Sequence, residues 1–449
     1  MKVCNNILLF LVIMVFSFIN DTCAQNPIIQ NQFTADPSAR VFGDSVYLYP
    51  SHDILAKAGH GRVGWFCMED YHVFSSGNLT EWTDHGVIVS QENIPWAQSN
   101  AYSMWAPDCI YRNGKYHFYF PAPAKDTIFG RGFSIGVAIS ENPYGPFTPQ
   151  PRPMKGVSGI DPCPFIDKDG QAYLYWAGRG GITGAKLKDN MLELASEPKA
   201  LEGLPKGFKE GPFLFERKGI YYLTFPFVID STESLAYCIS NSPMGPFTYA
   251  GIIMDKSPTG CWTNQPSVIN FKGQWYVFYH HNDLSPKFDK NRSVRIDSMY
   301  FHADGTIRKV VPTLRGVGLT DASKKIQIDR YSRKSDKGVS IAFLDTLNTF
   351  EGWKTVLDTK DAWIQYNGID FGKVNFKSVK LRVLSKTGGT LQIHLDKVDS
   401  PMIAQVEIPK SDEWKIANSP LSEYHLGIHN LIVLLKDNKN VEVDWVSFE

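Results

Sequence analysis

The chain has 449 residues, more than one ordinary domain holds, so at least two domains are expected. Lys+Arg and Asp+Glu both number 46, and this zero formal net charge excludes a nucleic-acid partner that depends on a basic surface. Hydrophobic residues at 43% can fill a sizeable core, and the 13% aromatic content favours β-strands while also suiting the flat faces of sugar rings.

The chain opens with Lys2, an apolar stretch from Ile7 to Ile19, and small residues ending at Thr22-Cys23-Ala24. This pattern predicts an export signal over residues 1–24 and a mature chain starting at Gln25, in the periplasm or outside the cell. Lipidation of Cys23 is the minor alternative, because Asn20-Asp21-Thr22 does not supply the usual apolar-small approach. The apolar run is too short for a comfortable span, and no other stretch is long enough to cross a bilayer. The mature chain keeps Cys67, Cys109, Cys163, Cys238 and Cys261. An odd number without a CxxC pair argues against a zinc site and favours buried free thiols.

From residue 36 onward one pattern recurs five times: a proline, an apolar segment, a glycine turn and an aromatic strand. The copies begin at Asp36-Pro37, Ala106-Pro107, Asp161-Pro162, Gly211-Pro212 and Gln265-Pro266. Their turns are Gly43-Asp44, Asn113-Gly114, Asp169-Gly170, Lys218-Gly219 and Lys272-Gly273, and such glycine turns between apolar runs are hairpin signals. The prolines at 37, 107, 162, 212 and 266 are spaced by 70, 55, 50 and 54 residues, which suits one four-stranded blade per repeat. Asn142-Pro143-Tyr144-Gly145-Pro146-Phe147-Thr148 is echoed by Ser242-Pro243-Met244-Gly245-Pro246-Phe247-Thr248. The expected fold is therefore all-β, a five-bladed β-propeller over residues 25–320. An array of β-sandwiches would not place the prolines in phase.

In a propeller the innermost strands converge on one axis, so residues just before the repeat prolines face a common pocket. That position brings together Asp36 and Asp161, with Glu210 one residue further back in the fourth repeat. A single Asp-Pro is ordinarily a turn starter, but three carboxyls at matching positions repel one another unless a function retains them.

These segments, Ala35-Asp36-Pro37-Ser38, Trp105-Ala106-Pro107-Asp108, Gly159-Ile160-Asp161-Pro162 and Lys209-Glu210-Gly211-Pro212-Phe213, resemble glycoside hydrolase family 43. The resemblance runs from about residue 30 to about residue 320. It implies hydrolysis of furanosides and xylosides with inversion, with Asp36 as general base, Glu210 as general acid and Asp161 orienting the acid and raising its pKa. Inversion asks for an acid and a base about 6.5–9.5 Å apart, which residues on separate blades can provide. The resemblance also makes Arg292 a sugar-subsite residue, and Trp105 beside the second repeat proline is a candidate sugar platform. His280 and His281 end the fifth inner hairpin; alternation sends them to opposite faces, and His281 is the candidate for the pocket. Members of the family often use a histidine near the fifth proline to hold an axial calcium ion. Gln265 stands there instead, so it is a substrate-binding candidate, calcium is at most structural, and no cofactor is required.

After Gly318 a Lys-, Asp- and Ser-rich linker leads into short alternating strands, read as a β-sandwich over residues 321–449. Gln327-Ile328-Asp329, Trp414 and Val443-Asp444-Trp445 resemble a family 6 carbohydrate-binding module. Ile416-Ala417 stand where that family carries a second aromatic, and Glu442 where it often carries an asparagine, which leaves Trp363 as the remaining aromatic candidate. The module is accordingly expected to contribute mainly stability. The sequence as a whole points to a glycosidase on arabinose- or xylose-containing plant polysaccharide or oligosaccharide, with exo α-L-arabinofuranosidase first and β-xylosidase or galactofuranosidase as alternatives. A non-catalytic sugar-binding propeller is the reading from another class. A mannoside phosphorylase ranks low, because only Lys209 and Arg292 are basic near the repeat prolines.

Overall fold

The computed structural model describes residues 25–423 and 425–449; the predicted export signal, with Cys4 and Cys23, lies outside them. Residues 33–299 form five antiparallel sheets in chain order. The first holds β1 (Phe33–Phe42), β2 (Ser45–Asp53), β3 (Asp70–Ser76) and β4 (Thr83–Ser90). The second holds β5 (Asp108–Arg112), β6 (Lys115–Pro123), β7 (Phe133–Ser140) and β8 (Thr148–Pro149). The third holds β9 (Ile160–Ile166), β10 (Ala172–Gly178), β11 (Gly181–Lys186) and β12 (Lys199–Ala200). The fourth holds β13 (Phe213–Arg217), β14 (Ile220–Ile229), β15 (Thr232–Ser240) and β16 (Thr248–Met254). The fifth has three strands, β17 (Ser267–Phe271), β18 (Gln274–His281) and β19 (Ser293–Met299).

The first hairpin of each sheet follows from its turn. Asn113-Gly114, Lys218-Gly219 and Lys272-Gly273 all have positive φ at both positions, the conformation a two-residue type I′ turn demands. Strands β1, β5, β9, β13 and β17 touch one another in succession, and β17 returns to β1, so the five sheets form a closed propeller ring. The N-terminal segment locks the closure. Ile28 N–H donates to Val294 O at 3.0 Å and Thr34 N–H to Arg292 O at 2.9 Å, which lays residues 26–34 along β19. The repeated Pro-x-Gly-Pro punctuation ties neighbouring blades: Tyr49 Oη donates to Pro143 O at 2.5 Å and Tyr175 Oη to Pro243 O at 2.8 Å. Between the blades lie fully buried aromatics such as Tyr49, Phe118, Tyr175 and Tyr222. Cys67, Cys109, Cys163, Cys238 and Cys261 are all buried free thiols, as the sequence predicts.

The centre of the ring is filled by a cation. Arg40 on β1 forms an ion pair with Asp108 on β5, donates to Pro164 O on β9 at 3.0 Å, and lies 4.6 Å over the Phe213 ring on β13. Burial opposes its charge, but Asp108 holds the guanidinium pKa above its ordinary value.

Residues from Thr320 onward build two packed six-stranded sheets around an aliphatic core that includes Leu381, Ile393, Val433 and Val443. The two parts are joined by polar and aromatic contacts. Gln25 Nε2 donates to Tyr366 Oη at 3.2 Å, Arg315 Nε to Asn367 O at 2.8 Å, and the Phe33 and Phe350 rings lie 4.8 Å apart. Among the described residues no helix is long and apolar enough to cross a membrane.

Candidate active site

The repeat position before each proline is shaped by its backbone. Asp36 has φ 45° and Asp161 has φ 56°, left-handed values that are rare for a non-glycine residue and rarer still before proline. The pairing register slips at both places, so each carboxyl sits on a bulge that turns it out of its strand. The fourth repeat has the same kink at Gly211, φ 65°, where a Cβ would come within 2.7 Å of the Pro226 ring; the acid is therefore displaced to Glu210. Strain repeated on the three acid-bearing blades belongs to the site and not to turn chemistry alone.

Asp36, Asp161 and Glu210 meet in one cavity of about 130 Å³, together with Trp105, Gln265 and Arg292. Asp36 accepts from Ser51 Oγ at 2.8 Å and from Arg292 Nη1 at 2.8 Å, while its own N–H donates to His280 Nδ1 at 3.1 Å. Arg292 also grips Asp53 in a fork, Nε to Oδ2 and Nη2 to Oδ1, both at 2.9 Å. Burial acts against this guanidinium, but Asp36 and Asp53 hold its pKa above the ordinary value. Its hydrogen bonds thus go largely to two carboxylates, one of them Asp36.

Asp161 accepts the Gly211 N–H at 2.8 Å and so fixes the backbone beside Glu210. Burial, then Glu210, then Asp36 push the Asp161 carboxyl well above the usual carboxylate range. Burial and Asp36 raise Glu210, with Arg292 opposing. A fourth carboxyl, Glu233 on β15, lines the same cavity and is raised by burial and by Glu210 to about 8. Its Oε2 accepts the Asn264 N–H at 2.7 Å. The pocket thus gathers four carboxyls against one arginine and favours retention of protons near neutral pH.

The remaining wall is aromatic. Trp105 packs 4.6 Å from Phe133, and its buried indole N–H has no partner. Phe66 stacks 5.9 Å from Trp262, Trp65 lies 6.1 Å from Trp262, and Trp262 is 38% exposed at the mouth. Sequence reasoning missed Trp65, Phe66, Trp262 and Glu233. Trp65 and Phe66 lie in the longest inter-proline interval, an insertion signal that was available. Trp262 stands four residues before the fifth repeat proline. Glu233 carries no motif at all.

His281 does not reach the cavity. It is fully buried beside the Tyr279 ring at 5.1 Å, where burial and Arg295 lower its pKa to about 3. The alternation was right and its phase wrong: His280 is the histidine at the site, bridging the Asp36 N–H and Thr263 Oγ1, the latter at 3.1 Å. Near the axis Asp108 is engaged by Arg40 and Ser38, and both nitrogens of His280 are used.

In the sandwich the mid-domain Trp414 lies beneath two cations. Arg382 lies 4.9 Å over the Trp414 ring and Lys354 5.9 Å, while Glu442 is paired with Lys354 at 2.6 Å and Asp444 with Arg382 at 2.5 Å. Ile416 is exposed beside them.

Comparison with known proteins agrees with both halves. The sequence profile described as Glycosyl hydrolases family 43 matches residues 24–307, and that of Carbohydrate binding module (family 6) matches residues 332–449. The chain is 37% identical over 330 residues to the xylosidase/arabinosidase 43A of Humicola insolens, covering 63% of this chain and 98% of that one. It is 29% identical over 472 residues to an arabinoxylan arabinofuranohydrolase of Bacillus subtilis, covering 90% and 88%. Among solved structures, a β-xylosidase/α-arabinofuranosidase from a compost microbial metagenome, complexed with xylotriose in a calcium-free form, superimposes with a TM-score of 0.57 at 34% identity, covering 64% of this chain and 98% of that one.

Proposed function

The chain belongs to glycoside hydrolase family 43, and on that premise we propose that this glycosidase acts on arabinose- or xylose-containing plant polysaccharides or oligosaccharides as an inverting, exo-acting α-L-arabinofuranosidase. The observation that carries the chemistry is the meeting of Asp36, Asp161 and Glu210, from three blades, in one small pocket. Asp36 takes a proton from water as the water oxygen attacks the anomeric carbon. Glu210 gives its proton to the leaving oxygen as the glycosidic bond breaks. Burial keeps that proton on Glu210 until it is needed. Asp161 fixes the backbone beside Glu210 through the Gly211 N–H, while the negative neighbour that discourages ionisation of Glu210 is Asp36. Arg292 holds the base in place. A sugar-binding protein without catalysis has no use for a buried acid facing an ion-paired carboxylate.

The small cavity, with Trp262 at its mouth, suits one terminal sugar and supports exo action. The relatives named xylosidase/arabinosidase and arabinoxylan arabinofuranohydrolase support the substrate class. A panel of aryl arabinofuranoside, xyloside and galactofuranoside tests the order: the highest kcat/KM falls on the arabinofuranoside, and a higher value on the xyloside reassigns the enzyme as a β-xylosidase. Export of the enzyme is part of the same proposal. The intact mass of protein from the native host corresponds to a chain starting at Gln25, whereas a diacylglyceryl mass on Cys23 marks a lipoprotein instead.

A further inference from the structure

We propose that His52, Asp70 and His72 on the first blade form a binding site for a borderline divalent transition ion of the zinc class. One donor atom from each of the three lies within 4.8 Å of the others, and among the described residues no other group of histidine, cysteine and carboxylate side chains is so placed. Ligand atoms about 2.0–2.1 Å from a tetrahedral ion stand roughly 3.4 Å apart, so small side-chain rotations close the site. Two imidazoles and one carboxylate select zinc, cobalt or nickel over calcium or magnesium. The site is separate from the catalytic pocket, and the proposal does not depend on the substrate reading.

His52 Nδ1 and Asp70 Oδ1 lie 2.7 Å apart as an ion pair, a contact that a bound ion would replace. His52 comes from β2, Asp70 and His72 from β3. Residues 70 and 72 are two apart on one strand and share a face. The β3–β4 register slips on both sides of His72, and such bulges re-aim a side chain. His72 Nδ1 is occupied by Asp84, at 3.0 and 3.2 Å from its two oxygens, which leaves Nε2 as the free donor. Asp84 is itself held by the Gly86 N–H at 2.8 Å and by Gln32 Nε2 at 2.9 Å. A histidine whose second nitrogen is fixed by an anchored carboxylate has the support that metal-bound histidines ordinarily carry. The His52 and His72 rings meet edge to face at 4.9 Å, an arrangement an ion between them would reconcile. His52, Asp70 and His72 side chains are 17%, 15% and 17% exposed, enough for an ion to enter from solvent. The cysteine spacings gave no hint of this site because it uses none of them.

The test uses the full-length exported chain without a histidine tag, stripped with a chelator and titrated with zinc and with cobalt in a calorimeter. One ion binds per chain, with a Kd in the micromolar range or below, and raises the melting temperature. Bound cobalt shows visible ligand-field absorption. His52→Gln and His72→Gln each weaken binding at least tenfold, and Asp84→Asn, which changes the support of His72 but none of the three ligands, weakens it about tenfold. Activity on an aryl glycoside, measured without metal, reports that each variant is folded. Absence of a saturable site, or zinc binding unchanged in folded His72→Gln, overturns the proposal.

Discussion

The axial pocket of the propeller and the Trp414 face of the sandwich are built from the same residue types, aromatics, carboxyls and basic side chains, and differ in how the charges are balanced. On the sandwich, Glu442 and Asp444 each have their own cation, and those cations also lie over the tryptophan. In the pocket, Arg292 serves Asp36 and Asp53, while Asp161, Glu210 and Glu233 share no dedicated cation. Their surplus of negative charge is tolerated only by holding protons, and a held proton is what an acid catalyst needs. The two regions thus differ in charge balance and not in residue types.

The largest break in this comparison is expected at the acid and the base. Asp36→Asn abolishes turnover on every glycoside, because no water is activated. Glu210→Gln loses about 10²–10⁴-fold on natural glycosides but far less on aryl glycosides with good leaving groups, which need little protonation. Steady-state kinetics on both substrate types checks the difference, and equal loss on both contradicts the assignment.

The next effect is on stability. Arg292→Met leaves Asp36 and Asp53 buried without their cation and is expected to cost about 3–5 kcal/mol. Lys354→Met removes the partner of Glu442 on the sandwich surface and costs about 1 kcal/mol or less. Denaturant melts of the two variants side by side measure the contrast; similar losses would erase it.

Glu233 gives a smaller effect, with a sign fixed by its pKa. Its folded value of about 8 lies above the ordinary 4.5, so the folded chain binds more protons and stability falls as pH rises through that window. Glu233→Gln removes this loss. The variant is expected to melt a few degrees higher than the parent at pH 8 and to show no gain at pH 4, where both forms are neutral. A gain that is the same at both pH values would show that packing, not charge, sets the effect. At the small end, Trp414→Ala is expected to change retention on xylan or arabinan affinity gels less than twofold, since Arg382 and Lys354 already cover that ring; loss of strong retention would show the module to bind sugar there.

The fold was legible because the prolines recur in phase with the glycine turns, so five hairpins could be counted before any coordinates. The acids were legible for the same reason, since Asp36, Asp161 and Glu210 ride on that repeat. What lay outside the repeat stayed hidden. Trp65 and Phe66 arrive on an insertion, and Glu233 comes from the third strand of its blade, where no spacing points to the axis. Strand alternation told that one of His280 and His281 faces the site, but the phase is set by the β17–β18–β19 pairing, which places His280 there. Arg40 was missed because the axis was read only through residues preceding the prolines, whereas its side chain reaches the centre from three residues beyond Pro37.

The stereochemistry of the first product tests the central claim most directly. Proton NMR over the first minutes of hydrolysis of an aryl α-L-arabinofuranoside is predicted to show β-arabinofuranose appearing ahead of its mutarotated forms, because Asp36 delivers water to the face opposite the leaving group. Initial appearance of the α-anomer would mean a covalent intermediate and would contradict the assignment of Asp36 as base and Glu210 as acid.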